Sequence, residues 1–157
     1  MKKRRVFVVE DEPIIATGIA RKLEQLGYEV AGSASSGETA VRAVEAEQPD
    51  LVLLDIKLDG RMDGVGVAAQ IRKKQDIPVI FLTAYADEAT LGRAKEQDPL
   101  AYIVKPFTDR ELYGAIEVAM HRHELHREIK QSEERYRMLQ EVLSDFAFCI
   151  VIAPDPE

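Results

Sequence analysis

Five short runs rich in β-forming residues, each followed by a helical pattern, constrain this chain more than any other feature. The runs are Arg5–Val9, Tyr28–Ala31, Leu51–Leu54, Pro78–Leu82 and Ala101–Val104. After the first, Ile15, Ile19, Leu23 and Leu26 recur at helical spacing, and Gly27 stands where a helix-ending glycine belongs. Ser35 with Glu38 reads as the capping box of a second helix through Ala40, Val41 and Val44. Asp63-Gly64 opens a third helix with Val67, Ala68 and Ile71, and a weaker fourth spans about Asp87 to Glu96. Thr108 and Glu111 form another capping box before Leu112, Ala115, Ile116 and Ala119. Strands alternating with helices of this length predict an α/β fold, a doubly wound parallel sheet with helices on both faces. The middle strands are apolar along their length, as strands covered on both faces must be.

In a parallel sheet every strand points its C-terminal end to one rim, and ligands sit there at the point where strand order reverses. Glu10, Asp11 and Glu12 follow the first strand, Asp55 the third, Thr83 the fourth, and Lys105-Pro106 the fifth. The second strand offers only Gly32 and Ser33. Segments distant in sequence thus bring acids, a hydroxyl and an ammonium to one place. Carboxylates that meet repel unless a hard dication sits among them, and Mg²⁺ prefers such oxygen ligands. Lys105 only donates, so it suits an anion rather than a metal, and Thr83 donates to the same anion. A carboxylate nucleophile with these neighbours suits phosphoryl transfer onto Asp55, which needs mainly positioning and charge neutralisation. Glu12 reads as an acid favoured by the start of the first helix.

The 157 residues allow one well-buried domain and an appendage. A net charge of −7 argues against direct nucleic-acid contact. No stretch approaches the roughly 18 apolar residues of a membrane helix, so no membrane contact is expected. The start, MKKRRVFVVEDEP, has too short an apolar run for a signal peptide. The lone Cys149 fits a reducing compartment, and the expected location is cytoplasmic.

The segments VVEDEP, LLDIKLDG, MDG, FLTA and KPF, in this order, resemble the receiver domain of two-component response regulators over residues 5 to about 122. The resemblance implies a five-stranded flavodoxin-like sheet of order 2-1-3-4-5. It implies Asp55 as phosphoacceptor, Asp11 as a direct Mg²⁺ ligand, Glu10 as a support of the metal, and the Lys57 backbone carbonyl as a further ligand. Thr83 and Lys105 would hold the phosphoryl oxygens, Tyr102 would be the switch aromatic, and the Lys105–Pro106 bond would be cis. The implied partner is a histidine kinase or phosphotransfer protein. The implied chemistry is self-catalysed phosphorylation and dephosphorylation rather than turnover of outside substrates. Two features depart from the family pattern. Glu10 stands where many relatives have Asp, and the Asp55–Asp63 stretch is one residue longer, with Asp59-Gly60 in place of a proline turn.

Three other readings stand beside this one. A haloacid-dehalogenase-type magnesium phosphatase also uses an aspartate after a strand, but Lys57 occupies the position of its acid/base aspartate. A degenerate receiver would serve only as a docking scaffold. A nucleotide-binding module lacks its glycine-rich loop.

Beyond the receiver, taken as residues 1–122, the chain reads as a linker helix over 123–145. There Leu125, Ile129, Ser132, Tyr136, Leu139 and Leu143 keep heptad spacing, predicting a helix that continues the fifth and pairs in parallel as a homodimer. His121, His123 and His126 read as surface residues, because HELH lacks the spacing of a zinc motif. SEERYRMLQEVLSDFAFCIVI resembles the opening of PAS sensory domains, so residues 146–157 are expected to begin a truncated PAS-like domain with an apolar strand.

Overall fold

The computed structural model describes residues 2–84, 88–97 and 101–152. The elements are β1 (Arg5–Val9), α1 (Pro13–Gln25), β2 (Glu29–Ala34), α2 (Gly37–Glu47), β3 (Leu51–Asp55), α3 (Gly64–Lys74), β4 (Val79–Thr83), α4 (Glu88–Glu96), β5 (Ala101–Val104) and α5 (Asp109–Ile152). The five strands form one parallel sheet of order β2-β1-β3-β4-β5, as the family resemblance implies. The order reverses between β1 and β3, which places the switch point at the ends of the strands carrying Glu10 and Asp55.

Period-two alternation sorts the core into two layers. Phe7, Val9, Val52, Leu54 and Phe81 pack with Ala40 and Val44 of α2, Val67 and Ile71 of α3, and Ala94 of α4. Val6, Val8, Leu51, Leu53, Ile80 and Leu82 pack with Ile19 and Leu23 of α1 and Leu112, Ile116 and Ala119 of α5. Each fully buried aliphatic side chain contributes roughly 1.5–3 kcal/mol, so the central strands are the best-anchored part of the sheet.

The helix starts follow their caps. Asp63 accepts the Gly66 N–H at 2.9 Å. Thr108 Oγ1 accepts the Glu111 N–H at 3.1 Å, while the Glu111 carboxylate accepts the Thr108 N–H at 2.8 Å, a complete capping box. Gly27 has φ 93°, in the left-handed region that favours glycine.

Three expectations need correction. β2 does not end at Ala31 but runs from Glu29 to Ala34. Its register against β1 shifts between Val6 and Phe7, and Gly32 lies so close to the Phe7 ring that a Cβ would come within 2.9 Å of it. A glycine that looks like a strand stop is here the residue that lets the strand pass an aromatic ring. Because β2 runs on, the cap of α2 is Ser36, whose side chain accepts the Thr39 N–H at 3.3 Å, and not Ser35. The third correction concerns the C-terminal run. Phe146–Ile152, expected as a strand, is helical and belongs to α5. An apolar run of that length suits either state, and a helix satisfies its own backbone groups whereas a strand requires a neighbour. Residues 153–157, and the start of the fourth helix at Asp87, lie outside the described residues.

The chain divides into two compact units, Met1–Arg122 and His123–Glu157. In the second unit Leu125, Ile129, Tyr136, Leu139 and Leu143 are all exposed. Among the described residues no helix is long and apolar enough to cross a membrane.

Candidate phosphoryl-acceptor site

Four strand ends supply the site. β1 runs directly into Glu10 and Asp11, held at the rim by the Glu10 N–H donating to Ala34 O at 3.1 Å. β3 ends on Asp55, whose strand partner is Leu82, so Thr83 lies one residue further along β4 at the same rim. β5 is followed by Lys105, whose N–H donates to Thr83 O at 2.8 Å. The Lys105–Pro106 peptide is cis.

Each carboxylate is held by named donors. The Lys105 ammonium donates to Glu10 Oε2 at 2.6 Å and to Asp55 Oδ2 at 2.8 Å. The Lys57 N–H donates to Asp55 Oδ1 at 3.1 Å, and the Glu12 N–H to Glu10 Oε1 at 3.2 Å. The Asp59 N–H donates to Asp11 Oδ2 at 3.1 Å, which ties the lengthened loop to the acid of the neighbouring strand. Glu10, Thr83 and Asp55 are only 2%, 4% and 7% exposed. They are the buried polar groups among the described residues, and all three stand at this rim.

Burial pushes the Glu10 carboxyl up to about 7; its shared hydrogen bond with Asp55 adds to the rise, and the Lys105 ammonium opposes it. Burial works to lower the Lys105 pKa, but its hydrogen bonds to Asp55 and Glu10 outweigh that, and the net shift is upward. The ammonium is therefore charged throughout the physiological range.

Glu10, Asp11 and Asp55 each offer a carboxylate oxygen, and these oxygens lie within 4.8 Å of one another. Three carboxylates against the single ammonium of Lys105 leave a formal −2, the charge that one dication cancels. An all-oxygen donor set of this charge fits Mg²⁺. Beside the acids, Thr17, Ser33, Ala34 and Ser35 help line a cavity of about 380 Å³. Because β2 runs on to Ala34, Ser35 just beyond it reaches the rim, which a strand ending at Ala31 would not allow.

The structure thus gathers Glu10, Asp11, Asp55, Thr83 and Lys105. Lys57 contributes its N–H to Asp55. Tyr102 pairs with Phe81 in the β4–β5 ladder, and Thr83 pairs with Val104, so Tyr102 is the diagonal neighbour of Thr83. Its ring lies over Phe81, with centroids 6.0 Å apart and planes at 28°. Among the described residues the buried Tyr102 hydroxyl has no hydrogen-bond partner, and burial raises its pKa.

Sequence reasoning missed Gly64 as a site residue. Its N–H donates to Ile56 O at 2.8 Å, and a Cβ there would collide with the carbonyl of Asp55. The available signal is the Asp-Gly pair that closes the loop after β3 and opens α3. The same loop reaches α4: Arg93 Nη1 lies 2.9 Å from Asp63 Oδ2, so the residue that caps α3 also anchors the next helix.

The model of the response regulator receiver domain matches residues 6–117. The transcriptional regulatory protein PdtaR of Mycobacterium tuberculosis is 39% identical over 140 residues, 89% of this chain, and the chain spans 66% of that protein's length. Among solved structures, the N-terminal domain of a response regulator/sensory box/GGDEF three-domain protein from Carboxydothermus hydrogenoformans is 35% identical. Its TM-score is 0.73, covering 78% of this chain and 98% of that one. The receiver domain of the sensor histidine kinase PA1611 from Pseudomonas aeruginosa is 29% identical, with TM-score 0.70, covering 76% and 99% of the two chains. That structure holds a magnesium ion in its active-site cleft. A family match over most of the chain, on the fold and acidic rim described above, makes this protein a member of the response regulator receiver family.

Proposed function

We propose that this receiver accepts a phosphoryl group on Asp55 from a histidine kinase or phosphotransfer protein and relays the change through α5 to a C-terminal output module. The carrying observation is the Lys105 ammonium, within 2.8 Å of the Asp55 carboxylate at the end of a fully buried central strand. One oxygen of Asp55 forms a bond to phosphorus as the bond from phosphorus to the donor's histidine nitrogen breaks. Lys57 N–H holds one Asp55 oxygen and Lys105 the other, which fixes the carboxylate plane toward the rim. Glu10, Asp11, Asp55 and the Lys57 carbonyl would hold Mg²⁺. The bound ion would neutralise charge on the transferred group and on the acids around it. Thr83 and Lys105 hold the remaining phosphoryl oxygens. The phosphoryl group adds about −1.5 to −2 charge and strong acceptors, drawing these two donors inward. Space left by Thr83 admits the Tyr102 ring, so the rim biases two states of the face built by α4, β5 and α5.

α5 leads the signal on, and its exposed heptad residues pair it in parallel with a second copy. The output module is read as PAS-like; the order receiver then sensory box in the Carboxydothermus protein supports that reading.

Incubation with acetyl phosphate and Mg²⁺, followed by peptide mapping, tests the site. Added mass of one phosphoryl group on Asp55, absent in Asp55→Asn, is the expected result. No uptake together with no Mg²⁺ binding would leave only a docking role. Steady turnover of a phosphomonoester would instead identify a phosphatase.

A further inference from the structure

We infer that Lys22, distant in sequence from Lys105 and outside the family pattern quoted above, is a positioning residue for Lys105; the inference rests on the proposed phosphoryl-acceptor role. Lys22 lies in the last turns of α1, the helix that opens just after Glu10 and Asp11. Its ammonium donates to the backbone carbonyl of Phe107 at 3.2 Å. It also pairs with Asp109 Oδ1 at 3.4 Å and stands 5.2 Å from the centroid of the Phe107 ring. Three contacts of different kinds, a carbonyl, a carboxylate and an aromatic face, therefore converge on one ammonium.

All three belong to Phe107, in the connection that follows Lys105, or to Asp109, at the start of α5. The upstream side of Lys105 is fixed independently, because its N–H bonds to Thr83 O on β4. The downstream side turns at once through the cis Pro106 and enters α5 at the Thr108 cap. Lys22 grips this downstream side from α1. The helix that follows Glu10 and Asp11 is thereby joined to the loop bearing the cation that bonds Glu10 and Asp55. Phe107 packs against the same core layer as Leu23 and Leu112, so the ring is held and the ammonium meets a fixed partner. An ordinary surface lysine would leave its ammonium in water and meet none of these groups.

The test compares Lys22→Met, which keeps the stem and removes the charge, with Lys22→Arg, which restores it. Lys22→Met should lower the saturating rate of phosphorylation by acetyl phosphate about 3–10-fold, a cost of the kind small misplacements incur. Lys22→Arg should recover most of it. In a Lys105→Met background the same Lys22→Met change should cost less than about 2-fold, since coupled residues are non-additive. The nitrogen resonance of the Lys105 ammonium, followed by NMR, should move in Lys22→Met and stay in Lys22→Arg. An unchanged rate and unchanged Lys105 resonance overturn the inference, as does an equal loss with and without Lys105. If the unaltered protein takes up no phosphoryl group, the proposed function fails, and the Lys105 resonance alone then decides the role of Lys22.

Discussion

One helix, α5, meets two different fates along its length. In the first unit Leu112, Ile116, Ala119 and Met120 are buried against β1, β3 and β4. In the second unit Leu125, Ile129, Tyr136, Leu139 and Leu143 recur with equal regularity and stand exposed. Helical spacing of apolar residues therefore says that a face wants covering and not what covers it. The sheet settles the matter for the first stretch. The second has the spacing of a coiled coil, and the partner proposed for it above is a second copy of the chain.

Ile116 and Leu139 are the sharpest pair with which to break this contrast. Ile116 is 0% exposed, so Ile116→Ala should lower receiver stability by about 2–5 kcal/mol in urea unfolding. A loss under 1 kcal/mol would mean that the first stretch of α5 is no better anchored than the second.

The next effect concerns a buried charge. The folded-state pKa of Glu10, about 7 against an ordinary 4.5, means that the folded protein holds a proton which the unfolded chain releases. The stability from this group is therefore fully present below pH 4.5 and is lost as pH rises through 7. In the presence of a chelator, the loss across that window should be on the order of 2 kcal/mol. Glu10→Gln should flatten it, and Mg²⁺ should offset it above pH 7. A chelated protein equally stable at pH 5 and pH 8, with the Glu10→Gln variant indistinguishable from it, would contradict the burial argument.

The smallest effect is expected at Leu139, which is 60% exposed. Leu139→Ala should change receiver unfolding by no more than about 0.5 kcal/mol. Light scattering should nevertheless show weaker self-association. A large stability loss at Leu139 would place it in a core after all.

What could be read without coordinates followed from local rules. The limits of β1 and β5 coincide with their β-rich runs, and Glu10, Asp11, Asp55, Thr83 and Lys105 meet because parallel strands share one rim. Asp63 and the Thr108–Glu111 pair cap their helices as their residue types suggest. What escaped depended on distant partners. Gly32 continues β2 because of the Phe7 ring, a neighbour on another strand. Ser36 rather than Ser35 caps α2 only because that strand runs on. Gly64 is required by the carbonyl of Asp55, and Lys22 meets a backbone oxygen 85 residues away, a contact that no side-chain pattern records.

The shift of register in β2 has a consequence for how copies of this protein can meet. β2 forms one margin of the sheet, and its ladder is interrupted between Val30 and Gly32. A margin bent in this way is a poor template for adding a foreign strand, and native sheets use such irregularities against aggregation. That margin is ill suited to strand-by-strand growth into fibrils, which leaves β5 as the straighter of the two margins.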